Sequence, residues 1–176
     1  LGHATNTLAD TGTLVVSGTG TLDLGGNADT VAGVQLAGGT IQNGTLTSTT
    51  AYDLQSGTAS AVLAGAVGAN KTTAGTVTLS GTASNTYSGL TTVSAGTLNL
   101  NKTAGQDAVA GNLTVSGGSV VLQAANQLNN ASNVVVSGGT LDIAGFSDTV
   151  AGVQITSGNI NGSGGTLTSS SAFDLQ

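Results

Sequence analysis

The chain has no cysteine, proline, methionine, tryptophan, arginine or glutamate, and only 2% of its 176 residues are aromatic. Without cysteine there is no disulfide framework, thiol nucleophile or thiolate metal site. Two lysines and no arginine cannot build a basic patch for nucleic acid. Only 6% of residues are charged, against about a quarter in ordinary globular domains, which argues against a globular enzyme. The net charge of -6 comes from eight aspartates spread thinly, so it confers solubility and some attraction for cations rather than forming an acidic tail. No run approaches the roughly eighteen apolar residues of a membrane helix. The opening LGHATNTLAD carries neither an initiator methionine nor a charged-then-apolar leader, and the ends are expected to be cut from something longer.

What remains is glycine, threonine, serine, alanine, asparagine and short alternating runs of valine, isoleucine and leucine. With 38% hydrophobic residues patterned this way, disorder is disfavoured. One unit recurs: apolar-x-apolar, two or three small residues ending in glycine, then a small polar residue and apolar-x-apolar again, as in VQLAGGTIQN, TVSGGSVVL and VVVSGGTLDI. The unit reads as two strands joined by a tight corner. Its final glycine falls at Gly20, Gly39, Gly96, Gly118, Gly139 and Gly158, with weaker copies at Gly57 and Gly75, giving intervals of 19, 18, 18, 21, 22, 21 and 19 residues.

A fixed interval near twenty marks a repeat architecture. About 3.3 Å per residue gives roughly 65 Å of chain per repeat, enough for one triangular coil of three short strands. No helical periodicity accompanies it, so helix-containing solenoids are disfavoured. The expected fold is all-β, a parallel β-helix (β-solenoid) of about eight to nine rungs of 18–22 residues. Stacking on the corner glycines predicts an inward core ladder of Leu22, Ile41, Ala59, Val77, Leu98, Val120, Leu141 and Ile160. A second ladder runs Val16, Leu36, Leu54, Thr72, Val93, Val115, Val136 and Ile155, and a third Leu14, Val34, Tyr52, Asn70, Thr91, Leu113, Val134, Val153 and Phe173. A further strand is expected around Val31, Val62, Val109 and Val150. Glycine at the corners allows positive φ, and the absence of proline leaves every ladder N–H available.

A larger period lies over the small one. Residues 21–36, TLDLGGNADTVAGVQL, return 119 positions on as TLDIAGFSDTVAGVQI, and residues 45–55 return 121 positions on. The chain therefore reads as a single solenoid segment, 1–176, made of a six-rung block at 20–138 and its partial repeat at 139–176.

The stretch 75–101, GTVTLSGTASNTYSGLTTVSAGTLNLN, resembles the autotransporter-associated β-strand repeat, also called the passenger-associated transport repeat. Leu79-Ser80-Gly81, Asn85-Thr86-Tyr87-Ser88-Gly89, Thr91-Thr92-Val93 and Ala95-Gly96-Thr97-Leu98 carry the match; Leu90, where the family commonly has a small residue, and an extra residue before Asn85 depart from it. The dense match covers 27 residues. The resemblance implies a right-handed β-helix, in keeping with the general hand of parallel crossovers. It further implies a large secreted surface protein of Gram-negative bacteria, often delivered through an outer-membrane barrel, and no catalytic residues.

The chemistry-bearing residues are few. Asp23 and Asp142, Asp29 and Asp148, and Asp53 and Asp174 are duplicates about six rungs or 29 Å apart, beyond the about 5–10 Å of a glycosidase pair. Asp23 and Asp142 alternate with inward leucine and isoleucine and are expected to face solvent. Asp23 with Asp29, or Asp142 with Asp148, is the candidate for a calcium site, although LGGNAD lacks the third glycine and tandem period of calcium-binding β-rolls. His3, the lone histidine, sits beside one end, and no serine or threonine has a base to activate it. Lys71 and Lys102 are expected to keep exposed turns soluble. Tyr52 and Phe173 are expected to face inward, and Tyr87 and Phe146 to lie in loops, where they are candidates for packing over a corner or stacking on carbohydrate. Asn126, Asn129, Asn130 and Asn133 suit turn contacts or a side-chain ladder. The triplets at Asn43 and Asn112 are chance-level glycosylation acceptors.

No catalytic, cofactor-binding or metal-binding residue is expected. The expected function is a non-catalytic structural or adhesive segment of a large extracellular surface protein. Its expected partners are neighbouring repeats or identical subunits end to end, with surface ligands or glycans as further candidates. A self-assembling extracellular filament or sheath is the alternative, and a polysaccharide-active β-helix a distant third.

Overall fold

The computed structural model describes residues 7–171 and 173–176, and over that range the chain is all β with no helix. His3 lies outside the described residues. Every ladder is parallel and joins a strand to its counterpart about one repeat later, as Leu14 to Val34, Leu113 to Val134 and Val134 to Val153. The expected solenoid is present, with about eight turns. In the first turn the three strand segments run together as Thr13–Val31, bent where the register shifts between Gly18 and Thr21 and between Asp23 and Asn27. Later turns break the same path into separate strands such as Thr91–Val93 and Thr97–Lys102. Residues 13–17, 21–23 and 28–31 and their stacked equivalents are called the first, second and third faces.

Alternation decides which side chains fill the coil, because successive residues of a strand point to opposite sides. The buried valines, leucines and isoleucines form one continuous file from Val16 to Val153. Each such side chain contributes about 1.5–3 kcal/mol before entropy is charged, and one turn alone has nothing to bury it against. Stability comes from stacking neighbours.

On the second face the observed pairs are Leu22 with Ile41, Ile41 with Ala59, Val77 with Leu98, Leu98 with Val120, Val120 with Leu141 and Leu141 with Ile160. One step departs from the expected ladder: Ala59 pairs with Leu79 and Gly57 with Val77. A slip of two residues keeps every side chain on its own side, and the small Gly57 and Ala59 leave room for it.

The first face slips by one residue at the same place, with a larger consequence. Tyr52 pairs with Ala69 and Asp53 with Asn70, so the inward positions are Ala69 and Lys71, not Asn70 and Thr72. Lys71 pairs with Val93 and is fully buried, while Asn70 and Thr72 face solvent. This corrects the expectation that Lys71 solubilises an exposed turn, because a one-residue slip exchanges inside for outside. Lys102, at the end of Thr97–Lys102, is likewise 1% exposed.

The third face exists where expected, with Val31, Val109 and Val150 buried and Val62 alone turned outward. Val62 pairs with Thr45, and beside Val31 a second inward file runs Asp29, Leu46 and Leu63. Val109 makes only an isolated bridge to Leu128. Tyr87 is not in a loop: it lies in the strand Thr86–Tyr87, fully buried, with its ring 6.0 Å from that of Tyr52. Phe173 takes its expected place opposite Val153 but is 48% exposed, since no described turn stacks on it.

Positive φ occurs at Gly39, Gly57, Gly96, Gly118 and Gly158 but not at Gly20, Gly75 or Gly139. In the first turn Gly18 takes the left-handed position instead, at φ 59. At Gly75 and Gly139 the requirement is close approach: a Cβ would lie 2.6 Å from the carbonyl oxygen of Gln55 or Gly117 in the turn below. Gly39 combines both demands, with φ 68 and a Cβ position that overlaps the Gly20 carbonyl oxygen.

Candidate functional site

The duplicated aspartates have three distinct jobs. Asp23 and Asp142 lie on the outer second face, where each accepts the N–H two residues on, from Gly25 and Ala144 respectively, at 2.8 Å. Asp23 also receives the side-chain amides of Gln42 and Asn43, and these donors, Gln42 foremost, hold its carboxyl below the usual range. Asp53 and Asp174 lie on the outer first face, each gripped by two glutamines, Gln35 and Gln55 or Gln154 and Gln176. Asp29 and Asp148 are inside the coil, 2% and 1% exposed. The two members of each proposed calcium pair therefore sit on opposite sides of the wall. Among the described residues no three acidic, histidine or cysteine side chains converge.

Asp29 and Asp148 act as pegs between turns. Asp148 Oδ2 accepts the N–H groups of Gln127 and Leu128 at 2.7 and 3.0 Å, and Oδ1 accepts that of Thr149 at 2.8 Å. Asp29 Oδ2 accepts those of Thr7 and Leu8 at 2.7 and 3.0 Å, while its Oδ1 is buried without a partner. The repetition of this clamp shows that the duplicated geometry reaches back at least to Thr7, upstream of Gly20. Burial pushes the Asp148 carboxyl above its ordinary value, against the pull of the Leu128, Gln127 and Thr149 N–H groups, and Asp107 pushes it further up.

The same inner wall carries other polar pegs where regular strand pairing fails. Asn85, 2% exposed, accepts Leu63 N–H through Oδ1 at 3.0 Å and donates to Ala108 O through Nδ2 at 2.8 Å. It thus ties its own turn to the one below and the one above. An amide suits this place because it both donates and accepts. Gln127, fully buried, accepts Lys102 N–H and donates to the carbonyls of Lys102 and Ala125. Tyr52 closes the corner of its turn by bonding Leu46 O, Ala64 O and Ala64 N–H, and Tyr87 pairs with the Thr91 hydroxyl at 2.8 Å. The buried lysines belong to this set: Lys71 Nζ reaches the Thr73 and Ala95 carbonyls, and Lys102 Nζ reaches Ser80 O at 2.8 Å.

The outer wall carries small polar side chains stacked in register. Its second face presents two columns of stacked hydroxyl-bearing residues, Thr21, Thr40, Thr58 and Thr78 in the early turns and Thr76, Thr97, Ser119 and Thr140 in the later ones, offset by two residues. Among the described residues the large apolar side chains left exposed are Val15, Leu90, Phe146, Phe173 and Leu175. Full burial removes Tyr87 from the carbohydrate-stacking candidates and leaves Phe146, 36% exposed. Asn129 makes the expected turn contact through Oδ1 to Ala131 N–H, and Asn126 adopts φ 52. Asn43 and Asn112 are engaged with Asp23 and with Asn133 N–H.

Sequence reasoning missed the inward lysines and the polar pegs. The lysines were hidden by a register that only neighbouring turns can set. Asn85 was visible as part of the NTYSG run, but its two-sided bonding was not. Comparison with protein-family models, with curated proteins and with solved structures finds no match to this chain.

Proposed function

We propose that this chain is a non-catalytic structural and adhesive segment of a large extracellular bacterial surface protein, of the autotransporter-passenger or adhesin-stalk kind. The observation that carries the reading is the use of its polar chemistry. The inward carboxylates, amides and lysines hold turns together, and the outward aspartates of the duplication, Asp23, Asp53, Asp142 and Asp174, are tied to neighbouring glutamines, amides or turn N–H groups. Such a coil makes a stiff spacer of tunable length, because turns add without changing the core. The test is to label intact cells of the source organism with antibody raised against this segment, and to read the parent gene for a downstream membrane barrel. Surface labelling that external protease removes, with a barrel in the gene, supports the reading. Labelling only after lysis refutes it.

A further inference from the structure

We infer that the edge of the coil formed by the turns around Gly105, Asn126 and Phe146 is a binding subsite for a neutral saccharide. The three turns stack directly: Gly105 N–H donates to Ala125 O at 3.1 Å, and Asn126 N–H to Ser147 O at 3.0 Å. Between them opens a cleft of about 480 Å³ lined by Gly105, Asp107, Asn126, Asn129, Asn130 and Thr149, within the about 300–1,000 Å³ of small-molecule sites. One oxygen of Asp107 is held by Asn129 Nδ2 at 2.7 Å, and its other oxygen has no partner among the described residues. The side-chain amides of Asn126 and Asn130, both exposed, make no hydrogen bond among them either.

The lining chooses the class of ligand. An anion would meet a carboxylate and no cation. A divalent metal would find one carboxylate only, because both oxygens of Asp148 are already taken by the N–H groups of Gln127, Leu128 and Thr149. One acceptor carboxylate with free amides that donate and accept suits the vicinal hydroxyls of a neutral sugar. The apolar face of such a sugar needs an aromatic platform; Phe146, 36% exposed, is not part of the cleft lining but belongs to the adjoining turn, immediately before the residue whose carbonyl holds Asn126.

The internal duplication gives the independent argument. Between residues 21–36 and 140–155 the differences are two leucine-to-isoleucine exchanges, Leu24 to Ile143 and Leu36 to Ile155, and three changes within one turn. There Gly25, Asn27 and Ala28 of the first copy become Ala144, Phe146 and Ser147 of the second. Asn27 closes its own turn through Leu24 O, whereas its counterpart Phe146 is left in solvent. Ala144 takes φ 49 where the first copy has glycine at φ 62, a conformation unfavourable for a residue with a Cβ. The second copy has thus given up a self-contained turn for an exposed ring and a strained backbone, at the one turn that adjoins the cleft.

This inference rests on the adhesive part of the proposed function, but its test uses the isolated folded chain. Nitrogen-15 NMR spectra are recorded while maltotetraose, cellotetraose or chitotetraose is added to millimolar concentration. At least one of the three is expected to move the backbone signals of Gly105 and Phe146 and the side-chain amides of Asn126 and Asn130. Phe146→Asn, which restores the residue of the first copy, is expected to weaken that binding at least tenfold with no loss of thermal stability, and Asp107→Asn to weaken it too. No shift with any of the three sugars overturns the inference, as does unchanged affinity in F146N. Calcium chloride moving the same amides where the sugars do not would overturn it in favour of a cation site. None of these results bears on whether the segment is displayed on a cell surface.

Discussion

Lys102 gives the sharpest test of how this coil tolerates charge inside. Its side chain is 1% exposed and its ammonium meets one carbonyl, Ser80 O, leaving two N–H donors without partners among the described residues. Burial lowers its pKa from 10.5 to about 8, and burial also lowers that of Lys71, partly opposed by Asp53. In the unfolded chain the lysine keeps its proton up to its ordinary 10.5. Between pH 8 and 10.5 the unfolded state therefore binds more protons than the folded one, so stability rises with pH through that window. The titration of Lys102 alone adds about 2.5 kcal/mol between pH 7 and pH 10. Above pH 10 the sign reverses, because burial pushes the Tyr87 hydroxyl up to about 12 and that of Tyr52 further up, and unfolded tyrosine ionises first. Stability should thus peak near pH 10, well above the usual optimum of folded proteins. Urea unfolding followed by circular dichroism at pH 7, 8, 9 and 10 reads this directly, provided the urea dependence itself stays constant. Lys102→Met, which keeps the stem and discards the charge, should be more stable than the parent at pH 7 and lose most of the pH slope. A flat or falling profile from pH 7 to 10, or an undiminished slope in K102M, would refute the reasoning.

The two buried aspartates should respond unequally to amidation. In Asp148→Asn one polar atom must present N–H groups to the N–H of Thr149 or of Gln127 and Leu128, a clash expected to cost about 1–3 kcal/mol. Asp29→Asn can place its NH2 where Oδ1 now has no partner, and should cost less than half as much by thermal unfolding. Tyr52→Phe, the residue found at the equivalent position 173, leaves Ala64 N–H buried and unbonded and should lose about 1–3 kcal/mol; an unchanged melting temperature would show that water replaces the hydroxyl. Gly39→Ala should break the stack between the first two turns, visible as lost amide protection from residue 33 to 42. Gly18→Ala, with φ 59 but open space around its Cβ position, should cost only about 1 kcal/mol.

The coil and most of its registers were legible because a parallel ladder demands equivalent residues at equivalent places, and Gly39, Gly96, Gly118 and Gly158 mark the corners with little variation. The failures cluster between residues 52 and 79, where the inward residues are small or polar. There Ala59, Ala69 and Lys71 stand where other turns have valine or leucine, so apolar alternation no longer selects one register over its neighbour. The third face was poorly legible for a related reason. Its inner column mixes Leu46 and Leu63 with Asp29, Asn85, Gln127 and Asp148, and polar side chains that bond backbone look in sequence like ordinary loop residues. The cleft beside Phe146 was half legible. Phe146 stands out in sequence as a stacking candidate, but the free amides of Asn126 and Asn130 belong to the preceding turn.

The polar pegs and the register slips answer one physical problem. A coil with a single-file core has little to choose between one alignment of stacked turns and the next, since valine over leucine fits as well as leucine over valine. Backbone ladders are indifferent to register too. A buried carboxylate that must receive two particular N–H groups, or an amide that must reach one turn below and one above, is satisfied in a single alignment and costs several kcal/mol in any other. Asp29, Asn85, Gln127 and Asp148 fall in the first, fourth, sixth and seventh turns, so the register is pinned at intervals and carried by packing between them. Lys71, between the first and second faces, and Lys102, between the second and third, follow the same logic, each reaching carbonyl oxygen at its own corner. It follows that removing a peg should harm alignment more than total burial. N85L should retain the β-sheet circular dichroism of the parent while showing doubled NMR signals for residues 61–65 and 106–110; a single set of signals at unchanged stability would mean that packing alone sets the register.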